Sequence, residues 1–329
     1  MSKVVRVHQH GGPEVLRIED LEVGEPGPGE VRIAVEAIGL NRAEAAFRSG
    51  MYLQKPTLPT LIGYEGVGVI EAIGPDVQGF KAGDRVCVVP SFRQGEYGLY
   101  AEKAIVPARS LLPPPPGLTP VQAASIWMQY FTALAIIEVG HATVGDHVVI
   151  RAASSSVGLA AIQLANWAGA VSIACTRRSD KAAALKAHGA QHVIATEETD
   201  LVAEVMRITG GKGARLVFDP VGGPEVDKLA QAMAEEGILF IYGSLSGQPT
   251  VFPHWPAALK GLSLRGWVAS QIWGKPERYA RAHKLILQGL AEGHLQPVIA
   301  KTFPLAQIVE AHRYLESNQQ IGKIVVTVN

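Results

Sequence analysis

Six short runs rich in apolar and β-branched residues occupy 146–151, 170–175, 191–195, 215–219, 237–242 and 262–268. They alternate with helical patterns such as 156–168 and 179–188. Parallel neighbours in a sheet need a crossover of a dozen or more residues, and a helix supplies it. The alternation therefore predicts an α/β fold with a doubly wound parallel sheet in the middle of the chain. Residues 1–110 have another texture. "KVVRVHQH", "EVLRIEDLEV", "EVRIAVEAIGL", "GVGVIEAIG" and "DRVCVVP" are short runs broken by Gly, Pro or Asp, which predicts a β-barrel or sandwich. Pro113–Pro116 end that section, because four prolines hold only an extended path. A helix is expected over 119–140, with Thr119 as N-cap, Pro120 in the first turn and Gly140 past the end. Further helices are expected at 276–292 and 305–316. The final "KIVVTV" reads as a strand rejoining the N-terminal β domain.

Lys plus Arg and Asp plus Glu number 30 each among 329 residues, so nothing favours nucleic acid or an anionic membrane as partner. No run of 18 apolar residues occurs and "MSKVVRVHQHGG" has no signal-peptide core, so a soluble, cytoplasmic protein is expected. Cys87 and Cys175 lie in apolar runs and read as buried free thiols, with a disulfide as the alternative. His141 and His147 lack metal-ligand company.

"RAASSSVGLA" (151–160) joins the first strand of the alternating region to its helix. Such a turn places backbone N–H groups and the positive helix end against a pyrophosphate. Only Gly158 remains of the usual glycines; Ser154, Ser155 and Ser156 stand in a row, and serine hydroxyls can bond phosphate or cap the helix. Alone, the turn is equally compatible with a capped helix that binds nothing. The second strand ends in Thr176, Arg177, Arg178, Ser179 and Lys181, where a site for the unphosphorylated ribose would carry an acid. Guanidinium groups there suit a 2′-phosphate, so NADPH is expected over NADH. "VFDPVGG" and "FIYGSLSG" are further strand ends running into glycine turns, and they bring Val221, Gly243 and Ser244 to the same edge.

"GGPEVLRIEDLEVGEPGPGEVRIAVEAIGLNRAEAAFRSGMY", "GYEGVGVIEAIGPDVQGFKAGDRV", "AASSSVGLAAIQLANWAGA", "FDPVGG" and "GKIVVTV" occur in an order that resembles the medium-chain dehydrogenase/reductase superfamily, over essentially the whole chain. The resemblance is to its zinc-independent quinone oxidoreductase, or zeta-crystallin-like, branch. It implies a GroES-like catalytic domain (1–122 and 271–329), a Rossmann cofactor domain (123–270) and a homodimer formed through Rossmann sheet edges. Where zinc relatives carry a Cys and a "GHE" motif, this sequence has Asn41 and "GYE" with Tyr64. Two cysteines cannot build a four-thiolate site, so no metal is expected. The usual "AAxGGVG" turn is "AASSSVG" here, and Lys181 resembles the family's 2′-phosphate lysine.

Without a metal to ionise an alcohol, reduction of an electrophilic acceptor is the expected chemistry: a quinone or an α,β-unsaturated carbonyl, its developing charge met by hydrogen bonds. The resemblance implies Asn41 and Tyr52 as donors lining the cleft beside the nicotinamide, with Tyr64 as pocket wall or proton donor. Each also has a plain reading: Asn41 holds a loop, Tyr52 is a half-buried surface tyrosine, Tyr64 packs. The expected cofactor contacts are Gln129, Thr132, Ser155, Ser156, Val157, Thr176, Arg177, Arg178, Lys181, Val221, Gly243, Ser244 and Lys323, with Tyr130 beside them. Phe252, Trp255, Trp267 and Trp273 read as an aromatic substrate wall, as core, or as a dimer edge. Two alternatives to quinone reduction remain: reduction of a 2-alkenal or enoyl double bond, and NADPH binding without catalysis.

Overall fold

The computed structural model describes residues 1–328, which divide into two compact units. Met1–Met128 with the chain from Pro297 onward forms the first, and Gln129–Gln296 the second. The changes of unit expected after 122 and 270 fall after 128 and 296 in this division. The second shift has a packing cause. Phe131 meets Trp273 and Tyr279 with ring centroids 6.0 and 5.7 Å apart, and Arg281 pairs with Glu138. Residues 271–296 therefore pack with the second unit.

The first unit is built on a seven-stranded sheet. Ile299–Pro304, Lys323–Thr327, Glu30–Gly39, Gly66–Ile73, Arg85–Val88 and Leu111–Leu112 follow one another, and Lys103–Pro107 also pairs with Glu30–Gly39. Alternate residues of Glu30–Gly39 are buried, the period-two pattern of a strand with one face on a core. The last strand does return to the N-terminal sheet: Val325 opposes Gly39 and Thr327 opposes Ala37, antiparallel. A smaller antiparallel sheet orders Leu16–Leu21, Ser2–Val7 and Thr60–Leu61.

The second unit holds a six-stranded parallel sheet in the order His192–Ala195, Val171–Thr176, His147–Ile150, Ala214–Asp219, Met233–Ile241, Ser263–Gly266. This is the doubly wound order, with the first strand central. Val149, Ile173, Val217 and Leu239 are wholly buried in its core; each such side chain stabilises by roughly 1.5–3 kcal/mol. His147 begins the first strand.

The helix expected over 119–140 is broken into Pro120–Ala123, Trp127–Ala133 and Ala135–Glu138. Thr119 caps the first piece as expected: its hydroxyl accepts from Gln122 N–H, and the Gln122 side chain accepts from Thr119 N–H at 3.0 Å. The break follows at Ser125, whose hydroxyl donates to the Gln122 carbonyl at 2.6 Å. Such a bond competes with helix continuation. The four clustered aromatics do not share one wall. Trp267 is core, its indole N–H bonded to Thr132 O at 2.8 Å; Trp273 packs on Phe131; Phe252 and Trp255 are exposed. Both cysteines are free and buried.

Gly158 lies in the first turn of the helix Ser156–Trp167. A Cβ there would come within 2.6 Å of Ala153 Cα and O. Gly158→Ala should therefore lose about 1–3 kcal/mol in urea unfolding. Gly24→Ala, where a Cβ meets nothing within 4 Å, should stay within about 0.5 kcal/mol of the parent.

Candidate active site

The carboxyl ends of the parallel strands carry the nucleotide-binding candidates. Ala152 adopts φ 49°, turning the chain sharply after the first strand. Ser155 then caps the helix Ser156–Trp167, its hydroxyl accepting from Gly158 N–H at 3.0 Å. Of the two roles open to the serines, Ser155 thus takes the cap. The first-turn N–H groups of Ser156 and Val157 belong to the set that has no intrahelical acceptor. They sit at the positive helix end, where an anion is favoured. Ser154, partly exposed, accepts from the Lys181 ammonium at 3.2 Å, which ties the turn to the loop after the second strand. Burial, then the nearby Arg177 charge, holds the Lys181 amine below its ordinary value, against the pull of Asp180.

Arg177 and Arg178 are exposed in that loop; Arg178 Nε bonds Glu197 at 3.2 Å. Glu198 accepts from both the N–H and the hydroxyl of Ser179, at 3.0 and 3.2 Å. Thr176 O is taken by Thr196 N–H at 2.9 Å. The two glycine turns close against each other. Asp219 accepts from Val221 and Gly222 N–H at 2.9 and 3.0 Å, and Ser246 N–H donates to Val221 O at 3.0 Å. A Cβ on Gly243 would lie 2.6 Å from Pro220 O, so this approach requires glycine. Ser244 is exposed beside it. Gln129 and Thr132 are buried on the helix Trp127–Ala133, and Gln129 Oε1 has no partner among the described residues. Sequence reasoning passed over Arg151, which directly follows the first strand and pairs with Glu225. That pair ties the central strand to the Val221–Glu225 turn.

In the first unit, Asn41 is the N-cap of a helix, Arg42–Arg48, that the strand patterns left unassigned. Around it lies a buried polar cluster. Lys323 Nζ donates to Asn41 Oδ1 at 2.6 Å and pairs with Glu65 Oε2 at 2.7 Å, the two charged side chains being 1% and 0% exposed. Asn41 Nδ2 donates to Glu65 Oε2 at 3.0 Å and Gly39 O at 3.1 Å. Met128 N–H donates to the other Glu65 oxygen at 2.9 Å. The structure thus places Lys323 in the first unit, with Asn41. Its ammonium holds the oxygens of Asn41 and Glu65 that a metal would need. Among the described residues no group of three or more His, Cys, Asp or Glu could hold a metal ion. The donor set does not fit zinc.

Glu44 and Tyr100 extend the cluster. Glu44 Oε2 accepts from Asn41 N–H at 2.6 Å and from the Tyr100 hydroxyl at 2.8 Å. Tyr100 Oη also meets His312 Nε2 at 3.0 Å, and Arg48 donates to His312 Nδ1 at 3.1 Å and to Glu316 at 2.6 Å. Burial pushes the Glu44 carboxyl up to about 7, against the Asn41 N–H, Lys323 and Tyr100, with Glu65 adding to the rise. Burial, then the Arg48 charge, holds His312 down to about 3.

Tyr52 is half-buried and Tyr64 buried; their hydroxyls are neighbours, and Gln94 borders Tyr52. Burial raises both phenols; for Tyr64 the neighbouring Tyr52 and then the Glu44 carboxyl add to the rise, and for Tyr52 the Glu44 carboxyl does so against the opposing hydrogen bond with Tyr64. Tyr64 Oη, both amide atoms of Gln94 and Glu44 Oε1 are buried without a hydrogen-bond partner among the described residues. Unpartnered buried polar atoms are few in folded proteins, so their gathering marks a ligand-facing region. Sequence reasoning missed Glu44, Glu65 and Gln94. The Asn41-x-x-Glu44 spacing of a capping box was a readable signal for Glu44; nothing distinguished Gln94, which lies in a loop.

The comparisons with known proteins agree with this geometry. Residues 27–116 match the family described as alcohol dehydrogenase GroES-like domain, and residues 156–288 the one described as zinc-binding dehydrogenase. The chain is 32% identical to a quinone oxidoreductase of Pseudomonas aeruginosa, with 99% of each chain covered. It is 30% identical to a 2-haloacrylate reductase of Burkholderia sp, with 97% of each covered. The solved structure of Escherichia coli quinone oxidoreductase complexed with NADPH superposes with a TM-score of 0.91 at 28% identity, covering 99% of both chains. The chain belongs to the medium-chain dehydrogenase/reductase superfamily, in its zinc-independent quinone oxidoreductase branch, and is an oxidoreductase.

The carboxyl of Glu44 generates a stability prediction. Its folded value, about 7, lies above the ordinary 4.5. Its contribution is fully present below pH 4.5 and is lost as pH rises through 7. Glu44→Gln removes this dependence and leaves the opposite one of His312, which is lost as pH falls below 6.5. The stability of the parent relative to Glu44→Gln should therefore fall by about 2–3 kcal/mol between pH 5 and pH 8. Denaturant unfolding of both proteins across that range measures it.

Proposed function

We propose that the protein is an NADPH-dependent reductase that transfers hydride to quinones or related conjugated carbonyls. The observation that carries the reading is the Lys181–Ser154 bond, which gathers Lys181 and Arg177 beside the helix N-terminus of the serine turn. One phosphate binds the first-turn N–H groups of Ser156 and Val157, and the 2′-phosphate meets Lys181, Arg177 and Arg178. Gln129, Thr132, Thr176, Val221, Gly243 and Ser244 complete the cofactor contacts. Bound NADPH supplies the hydride. The hydroxyls of Tyr52 and Tyr64 face the acceptor and meet the negative charge that develops on it, while Asn41, whose amide hydrogens go to Glu65 and Gly39 O, takes a positioning role rather than the donor role expected of it. The relative that reduces 2-haloacrylate favours a second reading, delivery of hydride to an activated carbon–carbon double bond.

We also propose a homodimer formed through the edge strand Ser263–Gly266 and the helix His254–Lys260. Trp255 and Leu259 are 71% and 80% exposed there, beside exposed Phe252. An open strand edge next to an apolar patch suits a self-complementary contact. Among the described residues no helix is long and apolar enough to cross a membrane; the near-zero net charge and free thiols support a cytoplasmic location. Replacing Trp255 and Leu259 by Asp should convert the sedimenting species from dimer to monomer.

Absorbance at 340 nm, with an ortho-quinone, a para-quinone and a 2-alkenal as acceptors, tests the activity. Quinone-dependent loss of NADPH that is much weaker with NADH is expected, and alkenal turnover alone moves the assignment to the second reading. Lys181→Ala with Arg177→Ala should raise KM for NADPH about 10- to 100-fold and leave KM for NADH nearly unchanged. Equal use of both nucleotides by the parent overturns the account of the basic loop.

A further inference from the structure

The basic loop after the second parallel strand is not alone at its end of the sheet. The chain that follows the next strand, His192–Ala195, runs beside it and is hydrogen-bonded to it. Thr196 N–H donates to Thr176 O and Glu197 N–H to Arg177 O, each at 2.9 Å. These bonds continue the parallel pairing in which Thr176 opposes Ala195. They set Glu197 and Glu198 against the loop, so the cations Arg177, Arg178 and Lys181 share their surroundings with the carboxylates Asp180, Glu197 and Glu198.

The contacts between the two stretches are specific. One oxygen of Glu198, Oε1, accepts from the Ser179 N–H at 3.0 Å and from the Ser179 hydroxyl at 3.2 Å. Arg178 Nε bonds Glu197 Oε2 at 3.2 Å. A phosphate oxygen uses the same kind of donors: a backbone N–H, a hydroxyl and a guanidinium beside them. Glu198 therefore occupies, with a single carboxylate oxygen, donors that suit a phosphate oxygen in the same loop. Ser179 and Glu198 are both exposed, so this contact can open without disturbing any core residue. The bonds from the Ser179 N–H and then its hydroxyl, with the Arg178 charge, hold the Glu198 carboxyl below its ordinary value against desolvation, so it is ionised at neutral pH.

We propose that Glu198 sets the nucleotide preference of the reductase, its carboxylate standing on Ser179 in place of the 2′-phosphate. The inference rests on the reductase reading above, which puts the 2′-phosphate in the basic loop. NADPH must break both Ser179–Glu198 bonds and move the carboxylate aside, because two anions cannot share the same donors without repulsion. Ser179 then donates to the phosphate, beside Arg177, Arg178 and Lys181. NADH carries a hydroxyl at the same ribose position and leaves Glu198 where it is. A carboxylate can accept from that hydroxyl, as acids do in sites for the unphosphorylated ribose. Glu198 thus narrows the advantage that the basic residues give to NADPH.

The test is titration calorimetry of NADPH and NADH with the parent, Glu198→Gln and Glu198→Ala, with thermal unfolding of each to establish that they fold. Gln keeps an oxygen for Ser179 without the charge, and Ala leaves the Ser179 donors to solvent. Adenosine 2′,5′-bisphosphate and adenosine 5′-phosphate serve as probes that lack the nicotinamide. Glu198→Gln should bind NADPH about three- to tenfold more tightly than the parent does, and Glu198→Ala at least as tightly as Glu198→Gln. Affinity for NADH should stay the same or fall. The 2′,5′-bisphosphate should show the gain and the 5′-phosphate should not. Unchanged NADPH affinity in both variants, or a gain that NADH shares equally, overturns the role of Glu198 and leaves the reading of the basic loop standing. If neither the parent nor the variants distinguish NADPH from NADH, that reading falls, and the inference with it.

Discussion

The first unit depends on one buried ion pair. Lys323, on the last strand, reaches Glu65 and Asn41, which lie 258 and 282 residues earlier in the chain. Neither charged side chain of the pair meets solvent. A buried charge is tolerable only when paired and fully hydrogen-bonded, and here it is: Glu65 accepts from Lys323, Asn41 and Met128 N–H. Removing one partner of such a pair costs about 3–5 kcal/mol, because the other charge is left behind. The pair thus fastens the C-terminal strand to the N-terminal sheet and fixes the amide of Asn41 in one orientation.

A lysine at this place also defines the chemistry. An ammonium satisfies the oxygens of Asn41 and Glu65 but offers no open coordination position and does not polarise an acceptor as a metal does. In the proposed reductase the donors available for transition-state stabilisation are neutral: the hydroxyls of Tyr52 and Tyr64 and the amide of Gln94. Such donors match the modest charge that develops on a quinone or conjugated carbonyl, which is already electrophilic. In the second unit the same economy appears. In the turn after the first parallel strand Ser155 caps the helix, while Gly158 must remain glycine against Ala153.

Local and periodic features were legible in the sequence, and long-range polar contacts were not. The six parallel strands, the Thr119 cap and the return of the final strand follow from pattern and capping chemistry, which act over a few residues. The unbroken helix expected over 119–140 failed at Ser125, where a side-chain bond to the backbone outweighed a strong apolar pattern. The place of Lys323 was illegible because its partners are hundreds of residues away. Gln94 became a candidate only through its unpartnered atoms, a property of packing in three dimensions, whereas the capping-box spacing from Asn41 could have pointed to Glu44. The second change of unit moved from 270 to 296 because Trp273 and Tyr279 pack on Phe131, a contact that no local pattern announces.

The central claim is that the serine turn and the basic loop form one site for a nucleotide bearing a 2′-phosphate. Equilibrium binding of NADPH and NADH to the purified protein, followed by titration calorimetry at low and high salt, tests it most directly. The account predicts that NADPH binds at least about tenfold more tightly, by charge-assisted contacts to the extra phosphate, and that added salt narrows the gap. Equal affinities for the two nucleotides, or a gap that salt leaves untouched, would contradict it.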